Sequence, residues 1–170
     1  PDSLQIQITS SDASCAGIPD GNASAQVTGG TPSYNYQWNG TPSPADSISG
    51  LTTGSYLLEV TDANNCVQAA SFSINAPDSI VLTLTAEDIS CFGGADGNAS
   101  VNPQGGTPPY DLLWNNGSTT DTALGLTAGP AIVQVTDQNG CLTIDSIEIA
   151  QPDSLVNTLN TSDIPCFGDS

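Results

Sequence analysis

The feature that most constrains this chain is an internal repeat about 75 residues long. The clearest matching segments are 20–24 with 96–100, 29–32 with 105–108, and 60–62 with 135–137. A period of this length exceeds the 20–50 residues typical of solenoid repeats and is long enough for one small domain. We therefore expect one domain each in residues 1–76 and 77–151, and the start of a truncated third repeat in residues 152–170, as in a piece of a longer protein.

Short runs of alternating apolar and polar residues predict β-strands within each repeat. Segments 4–8, 23–27 and 34–38 of the first repeat show this pattern, and turns rich in Gly, Pro, Asn and Asp separate the runs. No stretch has the 3.6-residue apolar period of a helix. We expect an all-β fold of tandem small antiparallel Ig-like β-sandwich domains, one per 75–76-residue repeat, with Trp38 and Trp114 in their cores.

The charge composition excludes several classes of function. The chain has 18 Asp and Glu residues, no Lys, Arg or His, and a formal net charge of −18. Without His there is no His-based nucleophilic catalysis, and without Lys or Arg there is no cationic surface for nucleic acid or anionic lipid. No apolar run is long enough to span a bilayer. We expect a protein that is not an enzyme, binds no nucleic acid and does not insert directly into a membrane.

Five cysteines occupy equivalent places in the repeats: Cys15, Cys66, Cys91, Cys141 and Cys166. We expect Cys15 to pair with Cys66 and Cys91 with Cys141, which puts one disulfide inside each repeat. Cys166 would then have its partner outside the chain. Closing a loop of about 50 residues contributes roughly 4 kcal/mol by restricting the unfolded chain, and a small sandwich with few aromatic residues needs such support. Disulfides also indicate an extracellular location.

Four aspartates at turns are weak candidates for calcium ligands: Asp20, Asp62, Asp96 and Asp137. The chain offers only hard oxygen ligands, which Ca²⁺ and Mg²⁺ prefer. No Asp-x-Asp-x-Asp loop is present, so solvated turn carboxylates are the favoured interpretation. We predict no firm cofactor.

The order of motifs along each repeat resembles the SprB repeat, a family found in giant cell-surface adhesins of gliding bacteria. In the second repeat the resemblance is carried by Cys91-Phe92-Gly93, Asp96-Gly97, Gly105-Gly106-Thr107-Pro108-Pro109-Tyr110, Trp114, Leu126-Thr127-Ala128-Gly129, Val135-Thr136-Asp137 and Cys141. The aromatic residue that the family places after a glycine is kept as Tyr56 but is Ala131 in the second repeat. The resemblance implies secretion to the cell surface, tandem arrays, and a role in adhesion or motility.

A short pattern of Asp, a hydroxyl residue, and an aliphatic residue or Ala occurs six times. Its hydroxyl residues are Ser3, Ser47, Ser79, Thr122, Ser146 and Ser154. The pattern is similar to the O-glycosylation signal of the bacterial group that carries SprB repeats. The alternative is that Asp-Ser is simply common at turns and strand starts. We favour covalent glycans, because the pattern recurs six times, and three of the six follow the proline that begins a repeat, where the chain should be exposed.

Together these observations predict a structural and adhesive repeat module of a long, secreted, cell-surface filamentous adhesin that serves adhesion or gliding motility. The expected partners are neighbouring repeats of the same chain, lateral copies in a filament, and surface polysaccharide or substratum. Two alternatives stay open. A carbohydrate- or Ca²⁺-binding accessory module of a secreted protein would have a ligand site in one repeat that the other lacks. A subunit of a self-assembling extracellular filament would need a lateral interface or strand exchange.

Overall fold

A computed structural model of the chain describes residues 2–159, and the regular structure in this part consists of antiparallel β-strands without any helix. The first repeat contains β1 (Gln5–Ser11), β2 (Gly21–Thr28), β3 (Asn35–Trp38), β4 (Thr41–Ser43), β5 (Ser47–Leu51), β6 (Gly54–Thr61) and β7 (Val67–Ile74). The second contains β8 (Val81–Glu87), β9 (Gly97–Gln104), β10 (Tyr110–Trp114), β11 (Thr122–Leu126), β12 (Gly129–Asp137) and β13 (Leu142–Ile149). The all-β prediction is confirmed.

Each repeat forms its own pair of sheets. In the first, the strand orders are β1-β2-β5 and β4-β3-β6-β7; in the second, they are β8-β9-β11 and β10-β12-β13. No strand of one repeat pairs with a strand of the other within the described residues. The second repeat lacks a counterpart of β4, and a turn closed by the Gly117 amide donating to the Trp114 carbonyl replaces it. These are the tandem Ig-like sandwiches that the sequence predicts.

A tryptophan lies at the centre of each sandwich. Trp38 is 3% exposed and Trp114 is 1% exposed, and each belongs to a separate cluster of buried side chains drawn from both sheets of its repeat. The indole Nε1 of Trp114 donates to the carbonyl oxygen of Thr120 at 2.9 Å, and that of Trp38 donates to Ala45 at 3.3 Å. The indoles therefore serve as core residues, as the alternation predicts, and their polar atoms are satisfied.

The Gly-Gly-Thr-Pro-x-Tyr motif fixes the loop that follows β9. The Tyr110 hydroxyl donates to the carbonyl oxygen of Gly105, which has a φ of 75°. A Cβ atom at Gly105 would lie 2.2 Å from the carbonyl oxygen of Ser79. Only glycine fits this position, because both the left-handed backbone and the close approach exclude a side chain. Gly29 and Tyr34 repeat the arrangement in the first sandwich.

The disulfide pairing predicted from the sequence is wrong. Cys15 bonds to Cys141 of the other repeat, with a Cα–Cα distance of 5.7 Å, while Cys66 and Cys91 are exposed free thiols. Within the described residues, therefore, neither repeat is closed by a disulfide of its own. The fifth cysteine, Cys166, lies outside the described residues.

The physical reason is that the two cysteines of one repeat lie at opposite ends of its sandwich. The amide of Ala13 donates to the carbonyl of Asn75, so the loop of Cys15 sits beside the end of β7. Cys66 immediately precedes the start of the same strand. An eight-residue strand spans about 26 Å, whereas a disulfide joins Cα atoms within about 7 Å. A bond inside the repeat is therefore out of reach.

Candidate functional site

The loop that carries the first cysteine of each repeat has the same hydrogen bonds in both copies. We call residues 12–20 and 88–96 the cysteine loops. In the first, the Ser14 amide donates to Oδ1 of Asp20 at 2.9 Å, and its hydroxyl donates to Oδ2. In the second, Ser90 makes the same two bonds to Asp96, at 3.1 and 2.6 Å. The serine hydroxyl is the main cause that lowers the pKa of each aspartate.

The turn that carries the second cysteine is also built alike in the two repeats. We call residues 62–66 and 137–141 the aspartate turns. Asp137 is 4% exposed, and its carboxylate accepts backbone amides of Thr107 at 2.8 Å and of Asn139 and Cys141 at 2.9 Å. Asp62 accepts the equivalent three amides. One buried carboxylate thus ties each turn to the Gly-Gly-Thr-Pro loop.

Hydrogen bonding lowers the pKa of both buried carboxyls. For Asp62 the leading cause is the amide of Thr31, followed by that of Cys66. For Asp137 the largest influence is burial, which raises the pKa, but the amides of Thr107, Cys141, Asn139 and Gly140 together outweigh it and the net shift is downward. Each carboxylate is therefore held in its charged form by donors of its own loop.

The four calcium candidates are engaged in these loops and turns rather than with one another. Asp20, Asp62, Asp96 and Asp137 each accept hydrogen bonds from nearby backbone amides. In the part of the chain that the structure describes, no three His, Cys, Asp or Glu side chains gather as a metal site would require. The geometry thus gives the calcium hypothesis no converging set of ligands.

The cysteine loop of the first repeat meets the aspartate turn of the second, and this contact is the candidate functional site. Besides the disulfide, Nδ2 of Asn139 donates to the carbonyl oxygen of Ser14 at 3.2 Å and to Oγ1 of Thr107 at 3.1 Å. A cavity of about 530 Å³ lies against the bond. Residues from both repeats line it, among them Ala16, Ile18, Ile80 and Leu142. The disulfide and the Asn139 hydrogen bond fix one sandwich on the next.

The six glycosylation candidates are scattered over the surface. Five of their hydroxyl residues are exposed: Ser3, Ser47, Ser79, Ser146 and Ser154. Thr122 is half-buried, and its Oγ1 lies 2.9 Å from Oγ of Ser100. O-glycosylation stays a prediction, with Thr122 the least accessible of the six.

Asp62 and Asp137 are buried rather than solvated, which was not predicted, although the apolar alternation contains a signal for it. In β12, residues 131, 133 and 135 are buried, and the same period places Asp137 on the inward face. In β6, Leu58 and Val60 are buried, and the same period places Asp62 on the inward face. An aspartate that continues a buried alternation must be satisfied by internal donors, so it indicates a structural carboxylate rather than a solvated one.

We expect the Asp137→Asn variant to be less stable than the unaltered chain at pH 7 and to lose less stability in acid. The pKa of Asp137 is lowered on folding from its ordinary value of 3.8, so its contribution is complete above about pH 5 and disappears as the pH falls through the lowered value. Urea unfolding midpoints between pH 7 and pH 2 measure this. Asp153→Asn is the control, because it removes one charge from an exposed site. Equal pH profiles for the two variants would contradict the assignment.

The fold and the junction define a class of protein: a tandem Ig-like β-sandwich module whose repeats are joined covalently. The model of the SprB repeat family matches residues 8–42 and 83–119, one region in each repeat, which confirms the resemblance. No curated protein has a sequence that matches this chain. No helix in residues 2–159 has the length and apolar character needed to cross a membrane.

A solved structure of tandem domains supports the fold. The three N-terminal domains of the Highly Immunogenic Outer Capsid protein of bacteriophage RB49 align over 88% of this chain with 17% identity and a TM-score of 0.50. This chain spans 59% of that structure's length. The match to the amphioxus IgVJ-C2 molecule covers 86% of this chain and 97% of that chain, at 14% identity and a TM-score of 0.36. A fragment of intimin, in complex with its receptor's binding domain, covers 89% of this chain and 65% of its own, with 11% identity and a TM-score of 0.43.

At these identities the likeness concerns the fold alone. SprB repeats belong to cell-surface proteins and, like Ig-like domains, are typically non-enzymatic. The disulfide between Cys15 and Cys141 agrees with an extracellular setting. Together, the family match and the disulfide indicate a surface adhesin-like repeat module.

Proposed function

We propose that this chain is a non-enzymatic segment of a long, secreted, filamentous adhesin that acts in adhesion or gliding motility. In this proposal residues 1–76 and 77–151 are successive domains, and residues 152–170 begin a third. The observation that carries it is the junction, where two sandwiches of the same architecture are joined by the Cys15–Cys141 bond. A covalent joint between repeats suits a chain that must transmit force along its length.

The mechanism is geometric. Residues 75–80 are all that separates β7 from β8, and Pro77 stiffens this short connection. A rigid array of such domains would project away from the cell. Its like charges would keep neighbouring fibres apart at low ionic strength. Weak contacts to a surface polysaccharide or substratum, repeated along the array, would add up to strong attachment through avidity.

We also propose that O-linked glycans are attached to the exposed hydroxyls of the short pattern of Asp, a hydroxyl residue, and an aliphatic residue or Ala. Ser3, Ser79 and Ser154 are exposed and stand outside the strands. Thr122 provides an internal comparison, since its hydroxyl is half-buried against Ser100. Glycans would add a hydrated layer and protect exposed strand edges from pairing with other chains.

Antibodies against residues 1–170 test the proposal on material from the native source. We expect them to label intact cells and to capture a protein far larger than 17.2 kDa that stays large after reduction. Its tryptic-resistant fragments should carry glycans at the exposed hydroxyls and not at Thr122. Capture of a species that shrinks to a small subunit on reduction would instead favour a self-assembling filament.

The same antibodies, used as monovalent Fab fragments, test the role in adhesion. Fab bound to intact cells should lower attachment to a polysaccharide-coated surface or slow gliding, whereas nonimmune Fab should do neither. Normal attachment and gliding of fully labelled cells would overturn the adhesive role. Tight binding of one sugar by the isolated monomer would favour an accessory carbohydrate-binding module.

A further inference from the structure

The surface around Cys66 matches the surface around Cys141, but no cysteine loop covers it. A groove of about 350 Å³ lies beside Cys66 and is lined by Asp2, Ser3, Leu4, Asn64 and Val67, among others. The equivalent residues of the second repeat line the junction cavity: Asp78, Ser79, Ile80, Asn139 and Leu142. The first repeat therefore presents the same receiving surface as the second, without its occupant.

The two aspartate turns differ in one acceptor, because within residues 2–159 the asparagine amide of the second turn has a partner in a neighbouring cysteine loop and that of the first turn does not. Nδ2 of Asn139 uses one hydrogen on Thr107 and the other on the carbonyl of Ser14. Nδ2 of Asn64 donates to Oγ1 of Thr31 at 2.8 Å, the counterpart of the Thr107 bond. Its second hydrogen has no protein acceptor among the described residues. A cysteine loop seated in the groove would supply that acceptor.

The second repeat has a cysteine loop that could make the same contact with a further aspartate turn. The cysteine loop of the second repeat keeps its Ser90–Asp96 hydrogen bonds although Cys91 is unbonded. The unbonded loop therefore has the same hydrogen bonds as the loop of the first repeat, whose cysteine is bonded. Phe92 occupies the position of Ala16, which lines the junction cavity, and it is 59% exposed. An exposed aromatic beside a free thiol at this position fits a cavity of the same kind in a following repeat.

We propose that Cys66 and Cys91 are halves of two further disulfides between repeats, so that the cysteine loop of every repeat bonds to the aspartate turn of the next. Cys66 would receive the cysteine loop of a preceding repeat, and Cys91 would bond to the aspartate turn of a following one. The inference rests on the proposed array. Each bond forms as two thiols give two protons and two electrons to a low-molecular-weight disulfide, which is reduced to two thiols.

The test is to insert a second copy of residues 77–151 between Gln151 and Pro152, so that a complete repeat follows Cys91. The inserted copy carries Phe92→Ala and Leu142→Val, the residues that the first repeat has at these positions, so that its cysteine peptides differ in mass from those of the original second repeat. After oxidation with a low-molecular-weight disulfide, peptides of the monomeric fraction are mapped by mass spectrometry. We expect Cys15–Cys141 as before and a new bond from Cys91 to the cysteine of the inserted aspartate turn. Cys91 should lose its reactivity towards an alkylating agent, while Cys66 keeps it.

Two variants make the result decisive. Serine in place of the inserted copy's second cysteine should restore alkylation of Cys91, whereas serine in place of its first cysteine should not. An inserted protein that leaves Cys91 free, or that pairs the two cysteines of one repeat, overturns the proposal. If Cys91 stays free in the monomer and a covalent dimer forms instead through a Cys91–Cys66 bond, the assignment to successive repeats of one chain is overturned. None of these outcomes bears on surface location or on blocking by Fab, so the proposed function is tested separately.

Discussion

Pulled from its two ends, the oxidised chain should release about 440 Å less contour length than the reduced chain. The Cys15–Cys141 bond encloses a sequence separation of 126 residues, and an extended chain spans about 3.5 Å per residue. Force entering at one end passes through the sulfur–sulfur bond and bypasses β2 to β12, which lie inside the closed loop. Optical tweezers with handles at both termini, with and without reductant, measure the difference.

Two cysteine variants distinguish the Cys15–Cys141 bond from a Cys15–Cys66 bond within the first repeat. Cys15→Ser should extend fully whether or not reductant is present. Cys66→Ser should behave as the unaltered chain does, because Cys66 is a free thiol. If Cys66→Ser also lengthens the oxidised chain, the bond is Cys15–Cys66 and the described junction is wrong.

The same geometry has a consequence for an array that follows the proposed pairing. In such an array, force would pass through the Cys15–Cys141 bond and then through the bond that begins at Cys166. Only residues 142–165 would carry the force between these two bonds. Interleaved bonds would therefore limit extension even if several sandwiches unfolded. A surface fibre with these bonds would therefore extend little under load. A chain of domains that are each closed by their own disulfide would extend further.

The alternation of apolar residues was enough to predict the class of fold. Segments 4–8, 23–27 and 34–38 correspond to β1, β2 and β3, and the tryptophans lie where the inward positions predict. Strand β4 was beyond this kind of reasoning. It has three residues and pairs only along β3, so its existence depends on a tertiary edge rather than on a pattern of its own.

The cysteine pairing could not be read from spacing because a periodic sequence is ambiguous. In a tandem array, a bond within each repeat and a bond from each repeat to the next give equally regular patterns. The choice depends on which end of the sandwich each loop occupies. That is fixed by the hydrogen bond between Ala13 and Asn75, a contact 62 residues apart in sequence. Only the folded arrangement contains this information.

Replacing Trp114 with alanine should destabilise the second sandwich by about 3–5 kcal/mol, a large part of the stability of a small domain. The indole is 1% exposed in the buried cluster, and its removal leaves a cavity between the sheets. The carbonyl of Thr120 also loses its donor. Hydrogen exchange in β12, measured by mass spectrometry under reducing conditions, should show the loss directly.

The first sandwich should be almost unaffected by this change. The buried clusters of the two repeats are separate, and distant substitutions act nearly independently. Trp38 is then the only tryptophan left, so its fluorescence reports the urea unfolding of the first repeat alone. The matched variant, Trp38→Ala, should reverse the pattern and weaken protection in β6 while sparing β12. If either variant shifts both repeats equally, the two sandwiches unfold as one unit, and residues 1–76 and 77–151 are not separate domains.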